Sequence, residues 1–306
     1  MHDIIELEGR QISRWQIGSS TFLAAPELGA RLMQWKIAMG GNERSIIQWP
    51  KSTEKTAFDK VRGGNPILFP FCARTYHKGI ENQWLDTEGL VRPMPRHGFA
   101  RDGKFKIINI DNQSFTAELV PTDAAKEIYP YDYNFQVTYK FGELHMDVIL
   151  SLKNNENRPI PWAAGHHFYF TLPWHEGLER KDYRMCMQAK KGFYPAPDGK
   201  LVPDKSFKGI DSLDDPRMIE RIHTHLKLNT ITFGPKNGEE DVTMTIGDAE
   251  VPSPMTAVVT WSESDDAPFY CVEPWMAPPN SAEHGKGLHW LNPGETEDFK
   301  VKISLM

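Results

Sequence analysis

The sequence predicts an all-β protein, a large antiparallel β-sandwich in a single domain spanning residues 1–306. Three observations carry this expectation. Apolar residues recur with period two, the spacing of a strand that buries one face. Glycine and proline, 23 of each, interrupt the chain at short intervals, as frequent reversals of direction require. Helical spacing is scarce. With 40% apolar side chains the chain has material for a full core.

In chain order, RLMQWKI (31–37), FKIINI (105–110) and FTAELV (115–120) have strand character. NFQVTYKF (134–141) alternates Phe135, Val137, Tyr139 and Phe141. LHMDVILSL (144–152) sets Leu144, Met146, Val148, Leu150 and Leu152 on one face. Gly142 lies between them, so residues 134–152 are expected to form a hairpin. MTAVVTWS (255–262) and the closing DFKVKISLM (298–306) continue the pattern. The best helical signal is DDPRMIERI (214–222), where Asp214 or Asp215 can cap a short helix with Pro216 at its first position.

One connection is unusually long. Residues 72–96 are polar and aperiodic apart from a small hairpin expected around Glu88-Gly89, and connections of that length are functional or mobile. Residues 51–106 carry 11 Lys and Arg against 6 Asp and Glu, in a chain of net charge −6. A positive rim is therefore expected locally, while the bulk field favours neither nucleic acid nor an anionic membrane.

The N-terminal MHDIIELEGRQ lacks the pattern of a secretory signal, and no apolar run nears the ~20 residues of a membrane span. The whole chain is expected to be the mature protein. Cys72, Cys186 and Cys271 are odd in number and form no C-x-x-C pair, which argues against a disulfide framework or a thiolate zinc site and for a reducing cytoplasm. No H-E-x-x-H, G-x-G-x-x-G, Walker or G-x-S-x-G pattern supports a dehydrogenase, kinase or serine hydrolase.

Four islands place ionisable residues among glycine, proline and aromatics: VRGGNPILFPFCAR (61–74), PRHGFAR (95–101), GHHFYF (165–170) and CVEPWMAPPNS (271–281). Trp162, Tyr169 and Trp275 are either core or the walls of a pocket on which a sugar ring could stack. Strand geometry sends His166, Phe168 and Phe170 to one face and His167 and Tyr169 to the other. One histidine can therefore face a pocket, where a reference pKa of ~6.5 suits a general acid; the alternative is a satisfied core histidine. Glu273, in apolar surroundings, would have a raised pKa and serve as a base, or else be a rim or salt-bridged glutamate. Arg74 and Arg101 can donate to hydroxyls. His223 and His225 share a strand face at a spacing used for metals, but no carboxylate completes the set.

Taken in order, these islands resemble the aldose 1-epimerase (galactose mutarotase-like) family. RGGNPILFPFCAR is similar to its R-G-G-x-P-x-x-F-P segment, RHGFAR to H-G-F-A-R, GHHFYF to H-x-Y-F, and VEPW with Pro278 and Asn280 to E-P-W-x-x-P-x-N. LNPGETEDFKVKISL resembles the family's last turn and strand. The resemblance implies a β-sandwich with an open carbohydrate cleft, no metal and no cofactor. It also implies His167 as acid, Glu273 as base, His97 as a second histidine near the ring oxygen, and Arg74 as a hydroxyl contact. Arg62, Arg101 and Trp275 join the expected substrate contacts.

The implied reaction interconverts the α and β anomers of a hexose or hexose 6-phosphate by ring opening and reclosure. Arg62, Lys78, Arg92 and Arg96 could hold a phosphate by charge-assisted bonds. A sugar-hydroxyl aspartate would be Asp211, Asp214 or Asp215. The expected partner is a small sugar or sugar phosphate, with the protein a monomer or homodimer. Two other readings stand beside it: a catalytically silent carbohydrate-binding protein on the same sandwich, which needs the aromatic walls but neither acid nor base, and a metal-dependent β-sandwich or cupin-like enzyme using His223 and His225.

Overall fold

The computed structural model describes residues 1–53, 55–205, 210–238 and 240–306. Its first five strands, His2–Leu7, Arg10–Ile17, Ser20–Ala25, Arg31–Met39 and Asn42–Ile47, form an antiparallel meander. Ile47 pairs with Phe170, and through Phe168–Thr171 this layer continues into Phe269–Trp275 and Ala257–Trp261. The facing layer comprises Phe105–Ile110, Ser114–Leu119, Tyr133–Phe141, His145–Asn154, Thr296–Leu305 and Val242–Ile246, all antiparallel neighbours in that order.

Two long strands, Tyr183–Pro195 and Arg221–Pro235, pair along their length and join the layers. Residues 221–223 bond to the Ala257–Trp261 strand, whereas 230–233 bond to Val242–Ile246. The crossing is possible because the pairing slips between Met187 and Ala189, and His225 adopts φ 55°. Between Met187↔Ile231 and Ala189↔Leu226 one strand advances two residues and the other five, and extra residues at such a bulge bend the strand and increase its twist.

Aromatic rings fill the space between the layers. Trp15 stacks on Phe115 at 5.5 Å, Phe22 on Phe141 at 4.5 Å, and Phe69 on Phe135 at 3.9 Å. Burying such large rings is the main favourable term in a sheet-on-sheet core. The period-two expectation holds in detail: Met146, Val148, Leu150 and Leu152 are inaccessible. Leu144 departs from it, being 48% exposed, because the hairpin pairing closes at Phe141 with Met146 and leaves Leu144 in the turn.

The helical expectation shrinks. Only Pro216–Met218 forms a single 3-10 turn, with the Asp215 side chain accepting from the Arg217 N–H, before the Arg221–Pro235 strand begins. A helix missed in the sequence, Asp123–Ile128, is capped by Thr122 but is too short to show a period. Residues 72–96 hold two small hairpins, Tyr76–His77 with Ile80–Glu81 and Gln83–Leu85 with Val91–Pro93, the second turning at Glu88-Gly89 as expected. Trp84 donates to the Ile128 carbonyl at 3.1 Å and pins this segment to the helix. Among the described residues, no helix is long and apolar enough to cross a membrane.

Candidate active site

A cleft of about 370 Å³ lies against the Phe269–Trp275 and Ala257–Trp261 strands, a size typical of small-molecule sites. Its walls include His97, His167, Trp261, Glu273 and Trp275, with Arg74 and Arg96 from the long connection. Because side chains alternate along a strand, Glu273 and Trp275 share the cleft face while Val272 is buried in the core. His167 reaches the cleft and His166 points inward, where its ring stacks on Phe168 at 5.1 Å and on Phe299 at 5.8 Å.

The two histidines are held by Asn65. Its Oδ1 accepts the backbone N–H of His167 at 3.0 Å, and its Nδ2 donates to Tyr139 Oη at 2.8 Å and to His166 Nδ1 at 3.1 Å. Three polar groups are thereby satisfied in a fully buried place, where leaving one unpaired costs about 1–3 kcal/mol. Gly64 makes this approach possible. It has φ +68°, and a Cβ there would lie 2.1 Å from the Leu32 carbonyl oxygen; only glycine fits. Arg31, buried between Trp49 and Phe58, donates to the carbonyls of Phe58, Val61 and Gly63 and so fixes the segment leading into Asn65.

On the cleft side, His167 Nε2 is 3.4 Å from Glu273 Oε1. Both groups are nearly removed from solvent, at 9% and 2% exposure. The His167 ring lies parallel to Tyr169 at 4.7 Å, which sets its plane. Burial pulls the His167 pKa down to about 3, aided by the charge of Arg96. Burial pushes Glu273 well above the usual carboxylate range, against the opposing effects of Arg96 and the Trp275 indole. Both shifts favour the uncharged forms of the pair over the ion pair. His167 Nδ1 and Glu273 Oε2 have no hydrogen-bond partner among the described residues.

His97 stands beside this pair, its ring 5.6 Å from that of His167 and 6.0 Å from Trp275. It has φ 67° and is followed by Gly98 at φ 72°, where a Cβ would sit 1.8 Å from the Phe69 carbonyl oxygen. The Ala73 N–H donates to His97 Nδ1 at 3.2 Å, and Arg96 Nε lies 3.2 Å from Nε2. A neutral imidazole accepts at one nitrogen only. The two donors therefore compete for the ring, Nδ1 accepting from Ala73 in one tautomer and Nε2 accepting from Arg96 in the other.

The remaining expected site residues divide. Arg74 lines the cleft, paired with Glu81 at 2.9 Å. Arg62 and Arg101 do not line it: Arg62 is ion-paired with Glu263 and lies over the Trp261 ring, and Arg101 belongs to the 3-10 turn Ala100–Asp102. Arg92 is engaged by Asp86 at 2.6 Å. Lys78 is exposed outside the lining. Local net charge could not reveal that these cations were already paired or pointed elsewhere.

None of the three candidate aspartates lines the cleft. Asp211 approaches the buried Arg221 at 3.9 Å, Asp214 lines a separate depression, and Asp215 pairs with Arg217. The exposed carboxylates in the lining are instead Glu220, at φ 56°, and Glu81, the partner of Arg74. Trp162 is core, its indole donating to Glu297 at 2.7 Å. The His223 and His225 pair does not converge on one site: His223 is buried against Thr260 and His225 bonds Thr224, since the bulge at His225 breaks the alternation that the spacing assumed. Asn65 and Trp261 went unassigned in the sequence; Asn65 stood inside a quoted motif, but nothing local marks an asparagine as a clamp.

Comparison with known proteins bears on the family and the fold. The chain is 24% identical over 249 residues to the chromosomal protein LacX of Lactococcus lactis, covering 74% of this chain and 78% of that one. Its fold superposes with TM-score 0.80 on a galactose mutarotase-like protein from Clostridium acetobutylicum, at 17% identity and covering 100% and 98% of the two chains. A galactose mutarotase-like protein from Lactobacillus casei gives 0.76 at 20% identity, covering 96% and 100%. The aldose 1-epimerase profile matches residues 14–304. A β-sandwich whose family motifs converge on one cleft, matched over nearly its whole length, belongs to the aldose 1-epimerase family.

Proposed function

We propose that this protein is an aldose 1-epimerase that interconverts the anomers of a hexose or hexose 6-phosphate, with His167 and Glu273 as its acid–base pair. The observation that carries the reading is their 3.4 Å approach at the cleft wall. Among the described residues, the remaining buried polar atom of each, Nδ1 on His167 and Oε2 on Glu273, has no hydrogen-bond partner.

In the ionised form of the pair, Glu273 takes the proton of the C1 hydroxyl while His167 gives its proton to the ring oxygen. The C1–O5 bond breaks, C1 becomes the aldehyde carbon, and the pair becomes a neutral carboxyl and a neutral imidazole. Rotation about C1–C2 presents the other face. Reclosure runs both transfers backwards, so the enzyme is regenerated with no net proton or redox change. Burial favours the neutral pair over the ion pair, so forming the reactive ion pair costs free energy that contacts with the bound sugar must offset, and transfer of both protons returns the site to its favoured charge state. In this reading His97 and Trp275 orient the ring, and Arg74 and Arg96 receive hydroxyls or a phosphate, all four lining the cleft.

The test is anomer exchange measured by NMR saturation transfer on glucose, galactose and glucose 6-phosphate, with H167A as control. Acceleration lost in H167A supports the reading. Sugar binding with no acceleration on any of the three would replace it by a carbohydrate-binding role.

A further inference from the structure

Beneath the acid–base pair lies a third group that the proposed reaction does not use. Cys271 occupies the same strand face as Glu273, two residues away, and is fully buried behind the cleft wall without lining it. One ligand atom from each of His167, Cys271 and Glu273 falls within 4.8 Å of the other two. From this cluster we infer a divalent-metal site of zinc type, formed by the His167 imidazole, the Cys271 thiolate and the Glu273 carboxylate, at which Zn²⁺ binds and reversibly shuts the cleft.

The chemistry of the donors selects the ion. Nitrogen, sulfur and oxygen ligands together suit Zn²⁺ or Co²⁺ and are wrong for Mg²⁺ or Ca²⁺, which take oxygen. Bond lengths of about 2.0–2.3 Å imply ligand-to-ligand separations of roughly 3.3–3.6 Å in a tetrahedron. His167 Nε2 and Glu273 Oε1, at 3.4 Å, already meet that spacing, so closing the site asks about 1 Å of movement from the thiol. The fourth position is left for water, as in open zinc sites.

Charge supports the same conclusion. A thiolate, a carboxylate and a neutral imidazole balance Zn²⁺, so a buried neutral complex replaces groups whose separate charges the site disfavours. Binding releases the Cys271 proton to water, and the Glu273 proton as well where the carboxyl carries one. Affinity therefore rises with pH. Glu273 Oε2 and His167 Nδ1, on residues that are 2% and 9% exposed, have no hydrogen-bond partner among the described residues that metal binding would break. Metal binding does not depend on the proposed reaction; only its inhibitory consequence does, since the ion would occupy both acid and base.

The experiment is a Co²⁺ titration of the dialysed full chain followed by absorbance, with Zn²⁺ competition, on wild type, C271S and C186S. Expected are one tightly held Co²⁺ per chain, a thiolate-to-cobalt charge-transfer band in the near ultraviolet that Zn²⁺ abolishes, and tighter binding at higher pH. C271S should lose the band and weaken binding by at least the 10–100-fold that lesser perturbations of metal sites cause, whereas C186S should keep both. Should C271S not fold, E273Q supplies the same test, retaining the thiol but losing a ligand. A band that survives in C271S but vanishes in C186S, or the absence of stoichiometric binding with a thiolate band in wild type, would overturn the inference. Anomer exchange in the same samples separates the readings: metal binding without any basal exchange would remove the epimerase proposal and leave the metal site standing.

Discussion

Asn65 Oδ1 accepts the backbone N–H of His167 at 3.0 Å, so the position of the proposed acid depends on a side chain from a distant loop. Truncation by N65A would orphan that N–H, His166 Nδ1 and Tyr139 Oη together. We expect a loss of about 1–3 kcal/mol in urea unfolding and a fall in kcat larger than the change in KM. A proportionate loss confined to stability, with kcat intact, would show that Asn65 supports the fold without positioning His167.

H167A and E273Q should each lose roughly 10²–10⁴-fold in anomer exchange, the range for a general acid or base, while keeping native circular dichroism. E273Q carries a second signature. A carboxyl whose folded pKa is raised contributes stability that is present below its unfolded value and lost as pH rises. Replacing it with a neutral isostere should therefore raise Tm relative to wild type at pH 7 and bring no such gain near pH 4. Equal Tm differences at both values would mean that Glu273 is not held protonated.

Four buried histidines predict sensitivity to acid. Burial lowers His166, His167 and His223 to about 3 and His97 well below its usual value. Between those values and ~6.5 the unfolded chain binds protons that the folded chain refuses, so stability falls as pH drops below 6.5. Each histidine contributes at most about 1.4 kcal/mol per pH unit, and Glu273 offsets part of this. Urea midpoints between pH 7.5 and 5 should decline steadily; a flat profile would mean that these rings gain protons in the native state.

The cations separate by location. R96A should raise KM for glucose 6-phosphate more than for glucose if the cleft takes a phosphate, and R74A should weaken both sugars. R62A should change neither by more than about twofold, because Arg62 is committed to Glu263 outside the cleft lining. A selective loss of the phosphorylated sugar in R62A would move the phosphate contact to that edge.

G98A should destabilise by more than the roughly 1–3 kcal/mol of an ordinary strained backbone position, since its Cβ would collide with the Phe69 carbonyl rather than merely occupy a left-handed conformation. Thermal unfolding would measure this, and activity should fall with it because the His97 turn is displaced. A near-native Tm would show that the turn can relax around the added methyl.

Local pattern determined much of this protein. Alternation alone identified strands over 134–141 and 144–152, found at Tyr133–Phe141 and His145–Asn154, and the two-residue period put His166 and His167 on opposite faces, while the family resemblance picked out His167 for the cleft. Period is a property of neighbouring residues, so sequence suffices for it. The pairing of His167 with Glu273, the clamp by Asn65 and the cysteine beneath them are contacts between segments far apart in the chain, and only tertiary structure decided them. The same holds for the cations: Arg62 and Arg92 counted towards a positive rim until their partners Glu263 and Asp86 were in place. Protonation was the last thing to emerge, because the charge state of His167 and Glu273 is set by how much water surrounding elements exclude, a quantity no stretch of sequence contains.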